Sequence, residues 1–475
     1  MVFSSFLFLS LFLPLFLAAY LLSPRSLRNM VALLFSLFFY TWGAPKIIGT
    51  LVAGSFLDYL VSKHFSGRYR KISFAAGVGA NLLLLGYFKY ANFFVADANA
   101  LIVWLGGEPI TWSAVALPVG ISFFTFQKIS YLADVYCRRT EPAAKFSHYL
   151  LYVTLFPQLI AGPIIRYHDV AQDILRRELS AQNIWYGFFR FSVGLGKKVL
   201  IADELAKIVD TIFGIDPAIL PAHYALLGMT CYAFQIYFDF SGYSDMALGL
   251  GRVMGFRFPE NFNMPYISQS ITEFWRRWHI SLSNWMRDYL YIPLGGNRCG
   301  LFRTYLDLWI VFLISGLWHG ASWTFVLWGA YHGFFLVLDK LFWLRVSKRL
   351  PAPLNVLITF TIVSLGWVLF RSESLEFSWQ YIQALSNLSS WGAPLGSYYP
   401  AQIIHNRGIF VLTIAVLLSF APIAPALREM AEAALAGGSS LRRLGLEFAA
   451  ASALLLLSML VVGSGSFSPF LYFRF

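Results

Sequence analysis

The chain has 475 residues, of which 58% are hydrophobic and 13% charged, with a mean hydropathy of +0.62. Soluble domains carry about twice that share of charge, so the composition excludes a water-soluble globular protein and points to a membrane-embedded one. The formal net charge of +12 is split into clusters between apolar stretches, which excludes a continuous nucleic-acid-binding surface.

In chain order, the first apolar stretch is Val2–Leu22. No base precedes it, and Arg25 and Arg28 follow it, so it reads as a retained span with an outer N-terminus rather than a cleaved leader. Asn29–Trp42 and Ile47–Val61 are weaker candidates. Ile72–Tyr90, Val115–Tyr131, Tyr224–Leu250, Tyr305–Trp318, Ser322–Leu338, Leu354–Phe370, Gly408–Ala424 and Phe448–Gly463 are stronger ones. A bilayer asks for about 20 apolar residues per helix, which gives about eleven crossings and an all-α, polytopic fold. The basic clusters Lys63–Lys71, Arg138–Lys145, Arg345–Arg349 and Arg428–Arg443 mark cytoplasmic loops. The stretch Asp97–Glu108 carries acids and no base, and is expected as an outward-facing loop.

The regular alternation fails between Tyr149 and Asn297. Pro157, Gly162 and Pro163 interrupt an apolar stretch there, and Arg166, Arg176, Arg177, Lys197 and Lys198 fall among moderately apolar helices. Such backbone survives at membrane depth only where protein or a water-filled cavity covers it, so re-entrant and amphipathic helices around a funnel are expected. No long linker and no internal repeat divides the chain, which reads as one domain over 1–475 with its core motifs in 150–335. Cys137, Cys231 and Cys299 are far apart and form no CxxC pair, so neither a disulfide framework nor a metal site is expected.

Two segments carry chemistry. Phe274–Arg298 reads as one amphipathic helix. Trp275, Trp278, Leu282, Trp285, Met286 and Tyr289 lie on one arc, Arg276, Arg277, Asn284, Arg287 and Asp288 on the other, and His279 at the edge of the aromatic arc. An interfacial helix with an aromatic belt also fits that pattern, but arginines beside an apolar face at depth mark a ligand path. The second segment is Leu313–Trp328, where His319 stands between Gly316 and Gly320 in apolar sequence. A desolvated imidazole stays neutral and suits a general base; the bland alternative is a histidine bonded within the bundle. His64, His148, His168, His223, His332 and His405 read as structural. The sequence contains no GxSxG elbow, P-loop or HExxH.

The run from Tyr237 to Arg298, which includes YFDFSGYSDMALGLGRVMGFRFPENFNMPY and FWRRWHISLSNWMRDYLYIPLGGNR, resembles the core of the membrane-bound O-acyltransferase family. Its nearest likeness is the bacterial branch that holds the alginate O-acetyltransferase membrane subunit. LWHG around His319 is similar to the family's signature histidine, and His279 matches its second histidine. The opening MVFSSFLFLSLFLPLFL and the ending SPFLYFRF also look like that branch. The ending departs from it slightly at Leu471 and Arg474, which touches only fine specificity.

The resemblance implies a multi-pass protein of the bacterial inner membrane. It would take an acetyl group from cytosolic acetyl-CoA, with no resident cofactor, and deliver it through extracytoplasmic acetyltransferase partner proteins to a hydroxyl of an exported, alginate-like polysaccharide. His319 would be the base and His279 would orient the donor or polarise the reacting groups. Arg276, Arg277 and Arg287, with Trp278 and Asn284, would hold the donor, since guanidinium forks match phosphates. Tyr472 in the aromatic tail would be an acyl carrier, or with Phe470 and Phe473 an interfacial anchor. D-alanyl or peptidoglycan O-acyl transfer is the neighbouring alternative. A transporter or flippase is the rival class, and the absence of repeats counts against it.

Overall fold

The computed structural model describes residues 2–65, 67–160, 162–395, 403–420, 440–465 and 470–471. Among them the chain is helical, with no strand. Each of the eleven apolar stretches read from the sequence overlaps a helix. Among the described residues, five helices are long and apolar enough to cross a bilayer: Arg70–Trp104, Leu301–His319, Trp323–Arg349, Ala352–Arg371 and Gly445–Gly463.

Three local expectations shift. The helix expected from Val115 begins at Ile121, because Pro118 and a left-handed Gly120 (φ 77°) turn the chain first. Asp97, expected in a loop, lies inside the helix Ala91–Trp104. The loop that follows is stitched back by that helix's asparagines: Asn92 Nδ2 donates to Val115 O at 2.9 Å and Asn99 Nδ2 to Ile110 O at 3.0 Å. Finally, Phe274–Arg298 is not one helix. It breaks into Ile271–Arg277 and Ile280–Met286, followed by wider turns.

The chain forms two compact units. The first comprises Met1–Phe188 and Ala247–Pro259. Its aromatic core gathers Phe8, Phe12, Phe16 and Phe39 around Phe156, with ring centroids 5.0 to 6.3 Å from it. The helix Ile121–Tyr136 runs through this unit almost wholly buried and carries a charge with it. Lys128 Nζ meets Asp58 Oδ2 at 3.1 Å, and Asn81 Nδ2 donates to the other Asp58 oxygen at 2.8 Å. Charge at that depth persists only when paired and hydrogen-bonded. One end of the unit collects its basic turns. The Arg70 guanidinium donates to the Tyr136 carbonyl, Arg139 pairs with Asp134 at 3.4 Å, and His168 bonds Asp134 at 2.8 Å. At the same end Asn29 Nδ2 donates to Ile174 O at 2.9 Å and Tyr20 OH to Met254 O at 2.6 Å.

The second unit comprises Phe189–Met246 and Glu260–Phe475. Its centre is a tight hairpin of Leu301–His319 and Trp323–Leu338. A Cβ on Gly316 would come within 2.3 Å of Phe325 O, and one on Gly329 within 2.3 Å of Phe312 O. Only glycine lets the two backbones touch, as small residues do in membrane bundles generally. That contact seats His319 at the buried end of its helix. The short helix Ile271–Arg277 is capped by Ser270, whose side chain accepts from Glu273 N. It is clamped to the hairpin where Thr272 N donates to Asp339 Oδ2 at 2.6 Å.

Candidate active site

The break at His279 is made by a segment 18 residues upstream. Asn263 N donates to Arg277 O and Ile280 N donates to Asn261 O, each at 2.9 Å, so the extended 261–263 backbone replaces the helical bonds that would have joined the two pieces. His279 adopts a left-handed φ of 44° there, a conformation costly for a non-glycine residue and held by its surroundings.

The side-chain bonds fix the state of His279. Asn261 Oδ1 accepts from the Ser281 backbone N–H at 3.2 Å and from Ser281 Oγ at 2.8 Å, while Asn261 Nδ2 donates to Ser244 Oγ at 3.0 Å. A backbone N–H can only donate, so the atom facing it is the amide oxygen and the amide orientation is settled. His279 Nδ1, 3.1 Å from that oxygen, must therefore carry the proton. His279 Nε2 then holds the lone pair. It is buried, has no hydrogen-bond partner among the described residues, and burial lowers the pKa of the ring so that it stays neutral.

His319 is 5% exposed and stands among rings, with centroids 4.8 Å from Trp318, 5.0 Å from Trp328 and 5.3 Å from Phe370. It lines a cavity of about 20 Å³ together with Trp278, Trp328, Trp367 and Asp239. Trp318 joins the two histidines, its ring lying 6.2 Å from His279. The Trp328 indole N–H is fully buried and has no hydrogen-bond acceptor among the described residues. Asp239, on the helix Ala222–Met254, ties this wall to two other places. One oxygen meets Lys198 Nζ at 2.7 Å, and the other accepts from the Leu471 N–H at 2.9 Å. Phe470 and Leu471, near the C-terminus, thus sit inside the unit and line the cavity, with the Phe470 ring 4.9 Å from Tyr243.

The residues expected to hold a donor divide. Arg276, Asn284 and Arg287 line one cavity of about 380 Å³, whose far wall is Leu308, Val311 and Phe312. Trp275 borders that cavity, and its ring packs 5.6 Å from Trp328, so one indole pair separates it from His319. Arg277 is elsewhere, paired with Glu273 at 2.9 Å and donating to Asn263 O. Trp278 belongs to the histidine wall, 4.8 Å from Trp367. Tyr472 lies outside the described residues.

His168 and His405 bond to carboxylates, to Asp134 and to Glu204 at 2.7 Å respectively. His332 is enclosed by Trp275 and Trp328, at 5.0 and 4.9 Å. Sequence reading passed over Asn261, Asp239 and Trp328. Asn261 gives no periodic signal, and Asp239 and Trp328 look like ordinary members of their helices until the fold aims them.

Residues 138–370 match the family model described as MBOAT, the membrane-bound O-acyltransferase family. The protein named "Probable alginate O-acetylase AlgI" of Azotobacter vinelandii is 42% identical, with the alignment covering 100% of both chains. The peptidoglycan O-acetyltransferase of Helicobacter pylori is 38% identical over 82% of this chain and 80% of its own. The teichoic acid D-alanyltransferase of Bacillus subtilis is 30% identical over 54% of this chain and 69% of its own. The family match spans both histidines and their supporting residues, and the likeness to the Azotobacter protein runs from end to end: the chain is an acyltransferase of the membrane-bound O-acyltransferase family.

Proposed function

We propose that the chain catalyses acetyl transfer from acetyl-CoA at the cytoplasmic face of a bacterial inner membrane, leading to O-acetylation of an exported polysaccharide. The observation that carries the chemistry is the pair of buried histidines in one aromatic enclosure, one of them with its lone pair held toward an unpartnered space. The full-length likeness to a protein named as an alginate O-acetylase favours acetyl over D-alanyl transfer and a polysaccharide acceptor. The single face that gathers the basic turns of the first unit supports placing those turns in the cytoplasm.

In this reading His319 takes the proton of the attacking hydroxyl as its oxygen bonds to the thioester carbonyl carbon. The C–S bond then breaks, and the departing sulfur recovers the proton from the imidazolium. His279, protonated on Nδ1, can only accept at Nε2, so it orients a hydroxyl rather than polarising a carbonyl. The buried Trp328 N–H is a donor suited to the carbonyl oxygen as charge develops on it. Arg276, Asn284 and Arg287 meet the coenzyme in their cavity. Phe470 and Leu471 line the cavity beside His319, which supports Tyr472, the next residue in sequence, as the first acyl acceptor, with partner proteins outside the membrane completing delivery. The test is complementation. In a polymer-producing host that lacks its own O-acetylase, the wild-type chain is expected to restore acetyl esters to the exported polymer, measured by NMR. A polymer that stays unacetylated while the chain is inserted, with its partner proteins present, contradicts the proposal.

A further inference from the structure

The first unit contains a polar pocket that plays no part in this chemistry. It has a volume of about 400 Å³ and lies where the turn after the helix Tyr167–Leu175 meets the end of the helix Ala222–Met254. Arg176, Arg177, Arg252 and Arg257 line it, against two acids, Asp173 and Glu178. Several arginines elsewhere in the chain are paired with carboxylates: Arg139 with Asp134, Arg190 with Asp245 and Glu260, Arg303 with Asp307, and Arg371 with Asp210. In this pocket no carboxylate pairs with any of the four among the described residues. One Asp173 oxygen accepts from the Arg257 backbone N–H at 3.1 Å. Arg177 is fixed as part of the wall. Its Nε donates to Tyr20 OH at 2.7 Å, its Nη1 to Asn29 Oδ1 at 2.6 Å, and its plane lies 4.6 Å from the Phe256 ring. The remaining nitrogen, Nη2, is buried with no acceptor among the described residues. Arg252 is held over the Tyr186 ring at 5.6 Å. The result is an excess of two positive charges around a hollow, with a guanidinium whose spare donor has no acceptor among the described residues.

We propose that this pocket is a binding site for a phosphate-bearing ligand. Gathering like charges around a cavity is unfavourable unless an anion answers them, and planar guanidinium donors fit phosphate oxygens two at a time. The pocket adjoins the segment after the first helix, which the Asn29–Ile174 bond ties to the end of Tyr167–Leu175. Under the proposed cytoplasmic placement of the basic turns, both phospholipid head groups and soluble phosphates could supply such a ligand. The inference stands apart from the donor assignment, since none of these residues lines the cavity of Arg276 and Arg287. The experiment uses the full chain and two probes at constant ionic strength. Inorganic pyrophosphate is titrated into lipid-stripped protein in detergent. In parallel, the protein is reconstituted in phosphatidylcholine nanodiscs with and without phosphatidylglycerol, and thermal unfolding is followed in both settings. Stabilisation by pyrophosphate identifies a soluble ligand, and stabilisation by phosphatidylglycerol alone identifies a head group. In either case Arg252→Gln and Arg257→Gln are each expected to weaken the apparent affinity about tenfold, the loss of one charge-assisted hydrogen bond. Glu178→Gln, which removes a repelling charge, is expected to strengthen it, an outcome that misfolding cannot mimic. Arg68→Gln, on an exposed turn elsewhere in the unit, is expected to change nothing. No stabilisation by either probe, or equal effects of Arg68→Gln and the pocket variants, overturns the proposal.

Discussion

At the scale of the residue, the account rests on which atoms are free to act. His279 presents an unprotonated Nε2 because Asn261 takes the other nitrogen, and Asn261 is itself oriented by a backbone donor. Asn261→Asp keeps an acceptor for His279 but places a carboxylate beside the ring. A neighbouring negative charge raises an imidazole pKa, so the acid limb of the kcat/KM profile is expected to move to higher pH. A uniform loss of activity with an unmoved limb contradicts a positioning role for Asn261. Trp328→Phe keeps the ring that packs on His319 and removes only the N–H. Its kcat is expected to fall about 10²-fold, the usual effect of losing one oxyanion donor, with donor affinity unchanged. A kcat near wild type removes Trp328 from the chemistry. Both histidines could be found in the sequence, since a histidine in apolar surroundings is conspicuous. Their protonation and their helpers could not, because Asn261 and Trp328 acquire roles only from contacts far along the chain.

At the scale of the element, hydropathy located the helices well because bilayer length and apolar composition are local properties. It misplaced ends where a turn residue prevailed, as at Pro118 and Gly120 before Ile121. It failed at Phe274–Arg298, where an amphipathic pattern continuous in sequence is broken in space by hydrogen bonds from the 261–263 segment. Local periodicity carries no information about that partner. The small helix Tyr167–Leu175 offers a separate test. His168 has its pKa raised from 6.5 to about 9, first by its hydrogen bond to Asp134 and then by Asp169. A raised folded pKa stabilises fully below the unfolded value of about 6.5 and is lost as pH rises through about 9. Between these limits the melting temperature of the wild type is expected to fall more steeply than that of His168→Gln, measured by thermal unfolding in detergent. Parallel curves for the two proteins contradict a charged His168.

At the scale of the whole molecule, the chain forms two compact units. The second holds both histidines, the arginine-lined cavity and the Phe470–Leu471 contact with Asp239. Phe470 and Leu471 line the cavity of about 20 Å³ beside His319, so the tail and the proposed chemistry are expected to depend on each other. Tyr472→Phe keeps an aromatic ring and removes the hydroxyl. If Tyr472 carries the acyl group, this variant still binds donor but exports unacetylated polymer, and no acetylated C-terminal peptide appears by mass spectrometry. Normal polymer acetylation by the variant leaves the tail as an anchor only. In the proposed mechanism, acyl transfer runs through the buried histidines of the second unit. Its most direct test measures release of free thiol from acetyl-CoA by purified protein, for wild type and His319→Gln, beside donor affinity and melting temperature. The account predicts a loss of about 10²–10⁴-fold in rate with donor affinity and melting temperature retained. A His319→Gln rate close to that of the wild type contradicts it.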